Sequence, residues 1–534
     1  MTMTVADMKD TKTNLHKRVS KNSLYTALFN IWYLGTRLAL VPFILSYVSI
    51  EEYGLWTFCF VILSYIGLAA FGFNTTYIRY TADYRSRNED HKLNELLSTG
   101  LISMTLFSVA LFPILYFFAS DILFLLGVGA DLHQVARDLF LGSTVIFMLN
   151  FSFSGFQNIL EGEQRIDLVR KIQWFASFIE IILLILFLAI GSGIISLLWA
   201  YGIRYLIILC LNILFAYKTF PQLRVSFSAY RREALSQFLN FGGRLQLIGF
   251  LSILNQSIDR IFIAKFLQLE AVGFDEAARK LPNIGMTLPS AVAGSMIPAA
   301  AHLQGIKQQA QINNAVLLGT RYLMILSSIP YAALIYFAPL IIETWLGKEF
   351  AVIVPVMQIL ALGTFINLLS GVGTSCLRGT GDTQLETKYM GVSLILLLIT
   401  APIGLHIFGL VGIAGAYCFS QIVGTIYFMV LSNRLFEITR IQFAHKILCP
   451  VAVIFLSGVP LFLTCHFGID LNQISRWEAG GLLLTLFSGQ VTLVLLNLLI
   501  FKNKLLLDFE KQKLGTINIS FIKSKLLPKR WKHA

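Results

Sequence analysis

The side chains with most chemistry to offer are ionisable groups standing inside otherwise apolar stretches. Arg37, Arg204, Arg260 and Arg279 are the cations of interest, and Glu180 and Asp259 the acids. A charge at bilayer depth is costly and usually faces a cavity, a partner or water rather than lipid. Guanidinium suits phosphate because its planar fork donates two hydrogen bonds and stays charged when desolvated. A transporter of cationic drugs would be expected to place Asp or Glu in the same space. Arg37 and Arg204 have no carboxylate within one turn of their own helix, so both are expected to face a cavity. Arg279 follows Asp275 by four residues, and Lys280 follows Glu276 likewise, which offers each an ordinary intrahelical pair. Asp259 and Arg260 are neighbours pointing about 100° apart on a helix, so they cannot simply neutralise each other. Arg244, Arg321 and Lys265 lie closer to a membrane surface and are expected to snorkel.

Other chemistries find no support. The six cysteines form no CxxC pair, the eight histidines form no HExxH, and no glycine-rich loop of the phosphate-cradling kind occurs. No metal site, catalytic residue or bound cofactor is therefore expected. Coupling to H+, Na+ or the membrane potential stays open.

The elements that must position these groups are membrane helices. Of 534 residues, 56% are hydrophobic and 13% charged, against about a quarter charged in soluble domains. The mean hydropathy is +0.71. Forty-two Lys and Arg against 29 Asp and Glu would suggest nucleic acid in a soluble chain, but loop placement explains the excess here. With about 20 residues per crossing, the polar breaks give about fourteen spans. They lie near 24–48, 54–80, 93–120, 135–160, 172–191, 194–217, 238–266, 270–300, 315–338, 352–375, 387–406, 410–432, 446–466 and 479–501. The first run is too long for a signal-peptide core and reads as an uncleaved anchor. With the N-terminus cytoplasmic, the inner segments hold 30 Lys and Arg and the outer ones at most five, so both termini are expected inside. The nine positive charges of the C-terminal tail are expected to lie along anionic membrane lipids.

Two echoes suggest a repeat. SYVSIEEYGLW (46–56) aligns with KFLQLEAVGFD (265–275) at an offset of 219, pairing Glu51 with Glu270 and Gly54 with Gly273. NILEGEQRIDLVRK (158–171) meets SCLRGTGDTQLETK (375–388) at 217, pairing Gly162 with Gly379. Six spans separate the copies, which implies two lobes related by a pseudo-two-fold along the membrane normal, with alternating access between them. The expected organisation is all-α. A cytoplasmic segment 1–23 precedes an N-lobe 24–235 (helices 1–6) and a C-lobe 236–445 (helices 7–12). Two added helices follow in 446–501, then a basic cytoplasmic tail 502–534.

The segment IDRIFIAKFLQLEAVGFDEAARKLPNIGMTLPSAVAGSMIPAAAHL (258–303) resembles the seventh and eighth helices of polysaccharide-export flippases. These are the Wzx-like branch of the multidrug/oligosaccharidyl-lipid/polysaccharide exporter superfamily. The resemblance rests on Asp259–Arg260, Val272–Gly273, Ala278–Lys280–Leu281 and Pro298, with EEYGLW (51–56), LRGTGDT (377–383) and FGLVGIAGAY (408–417) in support. Where the family usually has aromatic or small residues after the Val-Gly pair, this chain has Phe274, Asp275 and Glu276. The resemblance implies a two-lobed flippase of the bacterial inner membrane, serving surface-polysaccharide (O-antigen, lipopolysaccharide) biosynthesis. Its cargo would be an undecaprenyl-pyrophosphate-linked oligosaccharide, and polysaccharide polymerase machinery would be a partner. Arg37, Arg204, Arg260 and Arg279 are expected to hold the pyrophosphate and sugar acids, while Asp259 and Glu180 set local charge or couple an ion. Two rivals stand beside this reading. One is a same-fold, Na+- or H+-coupled transporter of drugs or small molecules. The other is a membrane sugar polymerase or ligase, which the short outer loops disfavour.

Overall fold

A computed structural model describes residues 25–500 except 27, 68–71, 126 and 469–474. The segments 1–23 and 502–534, expected to be cytoplasmic, lie outside the described residues. The chain is helical throughout, with no strand among the described residues. In lipid every backbone N–H and C=O must be satisfied within the segment, and a helix does this unaided.

In chain order the helices are α1 (Leu28–Leu45), α2 (Ile50–Gly67), α3 (Phe73–Ser86), α4 (Asp90–Phe117), α5 (Ala119–Leu125) and α6 (His133–Gly162). There follow α7 (Ile166–Ala189), α8 (Ile195–Thr219), α9 (Arg232–Gly294), α10 (Met296–Gly305), α11 (Gln309–Tyr336) and α12 (Ala338–Trp345). The last six are α13 (Val354–Asn367), α14 (Gly371–Thr380), α15 (Gln384–Leu435), α16 (Arg440–Phe443), α17 (Cys449–Gly468) and α18 (Arg476–Ile500).

Among the described residues, eleven helical segments are long and apolar enough to cross a membrane. Two of these, Ile248–Gly305 and Gln384–Leu435, have 58 and 52 residues, enough for two crossings each. Both fold back at a break in the backbone. The first breaks at Gln268 (φ 71°, ψ 169°), on either side of which Asp259 and Arg279 meet in an ion pair. The second breaks at Gly409 (φ 57°, ψ −131°), a conformation that only glycine adopts readily, and the backbones of Gly404 and Gly412 touch across it. Counted twice, those two raise the eleven segments to thirteen crossings. The remaining expected span, 54–80, is divided between α2 and α3, which adjoin 68–71.

Gln268 occupies a region of backbone space that costs a non-glycine residue roughly 1–3 kcal/mol. Gln268→Gly is therefore expected to stabilise the chain by about 1 kcal/mol after glycine's entropy cost, seen as a higher melting temperature in detergent. An unchanged or lower value would show that the turn carries no strain.

The helices form two compact units. One comprises 1–280 with 390–420, the other 281–389 with 421–534. Within the first, α6 packs on α3, α4 and α8, and α7 on α8. Within the second, α14 packs on α10, α17 on α11, and α18 on α12 and α17. Tyr336 donates to the Phe455 carbonyl (3.1 Å) and Asn497 to Ser457 Oγ (2.8 Å), which ties α17 and α18 to the second unit. Arg321, expected to snorkel, is instead buried and donates to the Lys446 carbonyl (2.7 Å). That carbonyl lies in a π-helical turn, Ala444–Leu448, where wider winding frees backbone acceptors.

The sequence echoes reappear as packing. Gly162 of α6 lies against the Ile78 carbonyl and Thr81 of α3, and Gly379 of α14 against the Ile297 carbonyl and Ala300 of α10. Ile78 and Ile297, like Thr81 and Ala300, are separated by the same 219 positions as the first echo. In the first unit the two copies of the first echo touch each other. A side chain on Gly54 would strike the Leu269 carbonyl, and one on Gly273 the Ile50 carbonyl. The contact is reciprocal under the 219 offset, as a local two-fold requires.

Candidate functional site

In the first unit, α1, α2, α7, α8 and α9 surround a cavity of about 360 Å³. Helical spacing sets its lining. Tyr33 and Arg37 lie four apart on α1, Tyr201 and Tyr205 four apart on α8 with Arg204 between them, and Glu276 and Lys280 four apart on α9, so each set shares a face.

The charges fall into two triads. In the first, Arg37 Nη2 is ion-paired with Glu180 Oε2, and Arg204 Nε lies 3.5 Å from the same oxygen. Glu180 is thus shared by two guanidiniums from α1 and α8, whose mutual repulsion it offsets. Both are also held over aromatic faces: Arg37 over Tyr33 at 4.8 Å, and Arg204 over Tyr33 and Tyr205 at 5.3 and 5.2 Å. These cation–π contacts orient the guanidiniums without neutralising them. In the second triad, Arg260 Nη2 lies 3.2 Å from Glu276 Oε2, and Lys280 Nζ lies 3.5 Å from Glu276 Oε1. Four cations against two carboxylates leave the lining with a formal excess of two positive charges. The Nε atoms of Arg37, Arg204 and Arg260 are buried and make no hydrogen bond among the described residues. Buried donors without acceptors cost free energy, and an oxyanion supplies acceptors.

The structure brings Arg37, Arg204, Arg260 and Glu180 onto this one cavity. Arg279 and Asp259 lie apart from it. Arg279 is paired with both Asp259 and Asp275 (Nε to Asp275 Oδ2 2.6 Å), with its guanidinium over Tyr417 at 5.0 Å. Asp259 and Asp275 are fully buried, and Arg279 is 5% exposed. Arg260 Nε lies 3.8 Å from Asp275 Oδ2, so this buried cluster joins the second triad, and three cations meet three carboxylates across the two arms of α9. Asp259 also accepts from the Arg260 backbone N–H (2.9 Å), while the Arg260 side chain turns to the cavity. Of the acids that depart from the family pattern, Asp275 pairs with Arg279 and lies 3.8 Å from Arg260 Nε, while Glu276 pairs with Arg260 and Lys280.

Sequence reasoning left Lys280 and Glu276 as an intrahelical pair and passed over Tyr33, Tyr53, Trp56, Tyr201 and Tyr205. The signal for Tyr33 and Tyr201 was available: each precedes a membrane-embedded arginine by one helical turn. The pairing of Arg37 with Glu180, 143 residues apart, left no such signal.

This fold is that of a multi-pass helical membrane protein. The chain belongs to the polysaccharide biosynthesis protein family, which it matches over residues 47–355. A putative O-antigen transporter of Shigella flexneri is 21% identical over 396 residues, 72% of this chain and 90% of that protein. Among solved structures, the lipid II flippase MurJ in an inward closed conformation superposes with a TM-score of 0.70 at 16% identity, covering 90% of this chain and 99% of that one. An inward-facing multidrug-resistance MATE transporter gives 0.62 at 17% identity, covering 78% and 94%. At these identities the structural likeness speaks for the fold. The family and these neighbours are transporters and flippases, not enzymes.

Proposed function

We propose that the protein flips an undecaprenyl-pyrophosphate-linked oligosaccharide across the bacterial inner membrane by alternating access, in surface-polysaccharide biosynthesis, with both termini cytoplasmic. The observation that carries this reading is the double cationic triad. Arg37 and Arg204 share Glu180, and Arg260 and Lys280 share Glu276, so the cavity lining sets four cations against two carboxylates. Cations from two separate groups facing one cavity suit the two phosphoryl groups of a pyrophosphate better than a single point charge would. Arginine's fork adds directional hydrogen bonds to that attraction.

A rival reading, an ion-coupled transporter of cations, needs a free in-membrane carboxylate on the ion path. Glu180 is the one such predicted acid that reaches the cavity, and it lies between two guanidiniums, a setting that repels a cation. Coupling to the membrane potential fits the fixed positive lining more readily, since moving one charge through 100 mV is worth about 2.3 kcal/mol.

The test is deletion of the gene followed by extraction of lipid-linked intermediates. Completed repeat units should accumulate on the cytoplasmic leaflet, with surface polysaccharide lost. Single units that reach the outside but never elongate would instead assign the protein to polymerisation.

A further inference from the structure

A second cavity, of about 440 Å³, lies beside the charged one and shares three of its walls, Phe60, Tyr201 and Tyr205. The shared aromatics form a packed set: Phe60 and Tyr201 meet edge to face at 5.1 Å, and Tyr201 and Tyr205 lie 4.6 Å apart. Beyond them the chemistry changes. Among the described residues, no charged side chain lines the second cavity. Its polar groups are neutral amides and hydroxyls, chiefly Asn74 on α3 and Asn150 and Ser154 on α6, set among Phe147 and Phe151, whose rings stack at 5.9 Å.

These polar groups are only partly engaged. Asn158 donates to Asn74 Oδ1 (2.8 Å), which fixes the amide and leaves its NH2 as donor. Ser154 donates to the Phe151 carbonyl (2.9 Å), which leaves its oxygen as acceptor. Asn150 makes no hydrogen bond with a described residue, so both ends of its amide are free. Neutral donors and acceptors between aromatic faces are what a pyranose requires. Its hydroxyls both donate and accept, while its C–H faces lie against the negative face of an aromatic ring. The volume falls within the roughly 300–1,000 Å³ of small-molecule sites.

We propose that this second cavity is the glycan subsite: it receives the uncharged sugar nearest the pyrophosphate, with Phe60, Tyr201 and Tyr205 as the partition where phosphate ends and sugar begins. This rests on the flippase reading above, and the two can fail separately. The full chain in nanodiscs would be titrated with two probes of equal prenyl length, a bare polyprenyl pyrophosphate and the same lipid carrying a neutral disaccharide. The glycosylated probe should bind at least about tenfold more tightly, the worth of one well-made hydrogen bond to a polar group. Asn150→Leu removes an amide with no hydrogen-bond partner among the described residues, so the fold is expected to tolerate it. It should bring the two affinities within about twofold by weakening only the glycosylated probe. Equal binding of both probes by the unaltered protein would overturn the subsite while leaving the flippase reading standing. So would an Asn150→Leu variant that weakens both probes alike or neither. Failure of the unaltered protein to bind either probe would overturn both readings.

Discussion

Arg204→Ala is expected to abolish export of the lipid-linked glycan while the chain remains folded and inserted. Arg204 is one of two guanidiniums on Glu180 and the only one stacked between two tyrosines, Tyr33 and Tyr205. Its removal takes two fork hydrogen bonds and a formal charge from the anion site. Hydrogen bonds to charged groups are worth about 1.5–3 kcal/mol each, so binding should weaken a hundredfold or more. The fold should survive, because Glu180 keeps its ion pair with Arg37 and no buried acid is left unpaired. Arg204→Lys should recover part of the activity, since it restores the charge without the fork. Surface polysaccharide and membrane-fraction abundance are the two measurements. Normal polysaccharide in Arg204→Ala cells would remove this residue from the site.

Arg279→Ala should fail in the opposite way, by loss of the folded protein. Its guanidinium is the shared partner of Asp259 and Asp275, both with no exposed surface, and Asp275 Oδ1 already lacks a hydrogen bond among the described residues. Breaking a buried pair costs about 3–5 kcal/mol because the surviving charge stays desolvated. Here Asp259 would be stranded and Asp275 left with only Arg260 Nε at 3.8 Å, against total stabilities of about 5–15 kcal/mol. Fluorescence-detected size exclusion and thermal unfolding in detergent should show aggregation or a large drop in melting temperature. Adding Asp259→Asn and Asp275→Asn to Arg279→Ala should recover much of the loss, since the stranded charges disappear. A melting curve unchanged by Arg279→Ala would refute the structural assignment. Together the two variants separate a guanidinium reserved for ligand from one reserved for the protein.

The helical architecture was readable in advance because its cause is local. Apolar runs of about 20 residues can satisfy their backbone in lipid only as helices. The breaks at Gln268 and Gly409 fall in the gaps left between spans ending at 266 and 406 and those starting at 270 and 410. Gly54 and Gly273, and Gly162 and Gly379, recur because a Cβ at each would strike a backbone carbonyl, so the packing dictates the residue. The cationic bias of the interior was also plain from residue type alone.

Which arginine serves which purpose was decided only by the tertiary structure. Arg37 and Arg204 have no acid on their own helices, and nothing in their neighbourhood announces that both would converge on Glu180 of α7. Asp259 and Arg260 are adjacent along the chain, yet the turn of the helix sends one into a buried pair with Arg279 and the other onto the cavity lining with Glu276. Charge energies depend on distance and dielectric, and both are set by how distant helices pack rather than by spacing along one of them.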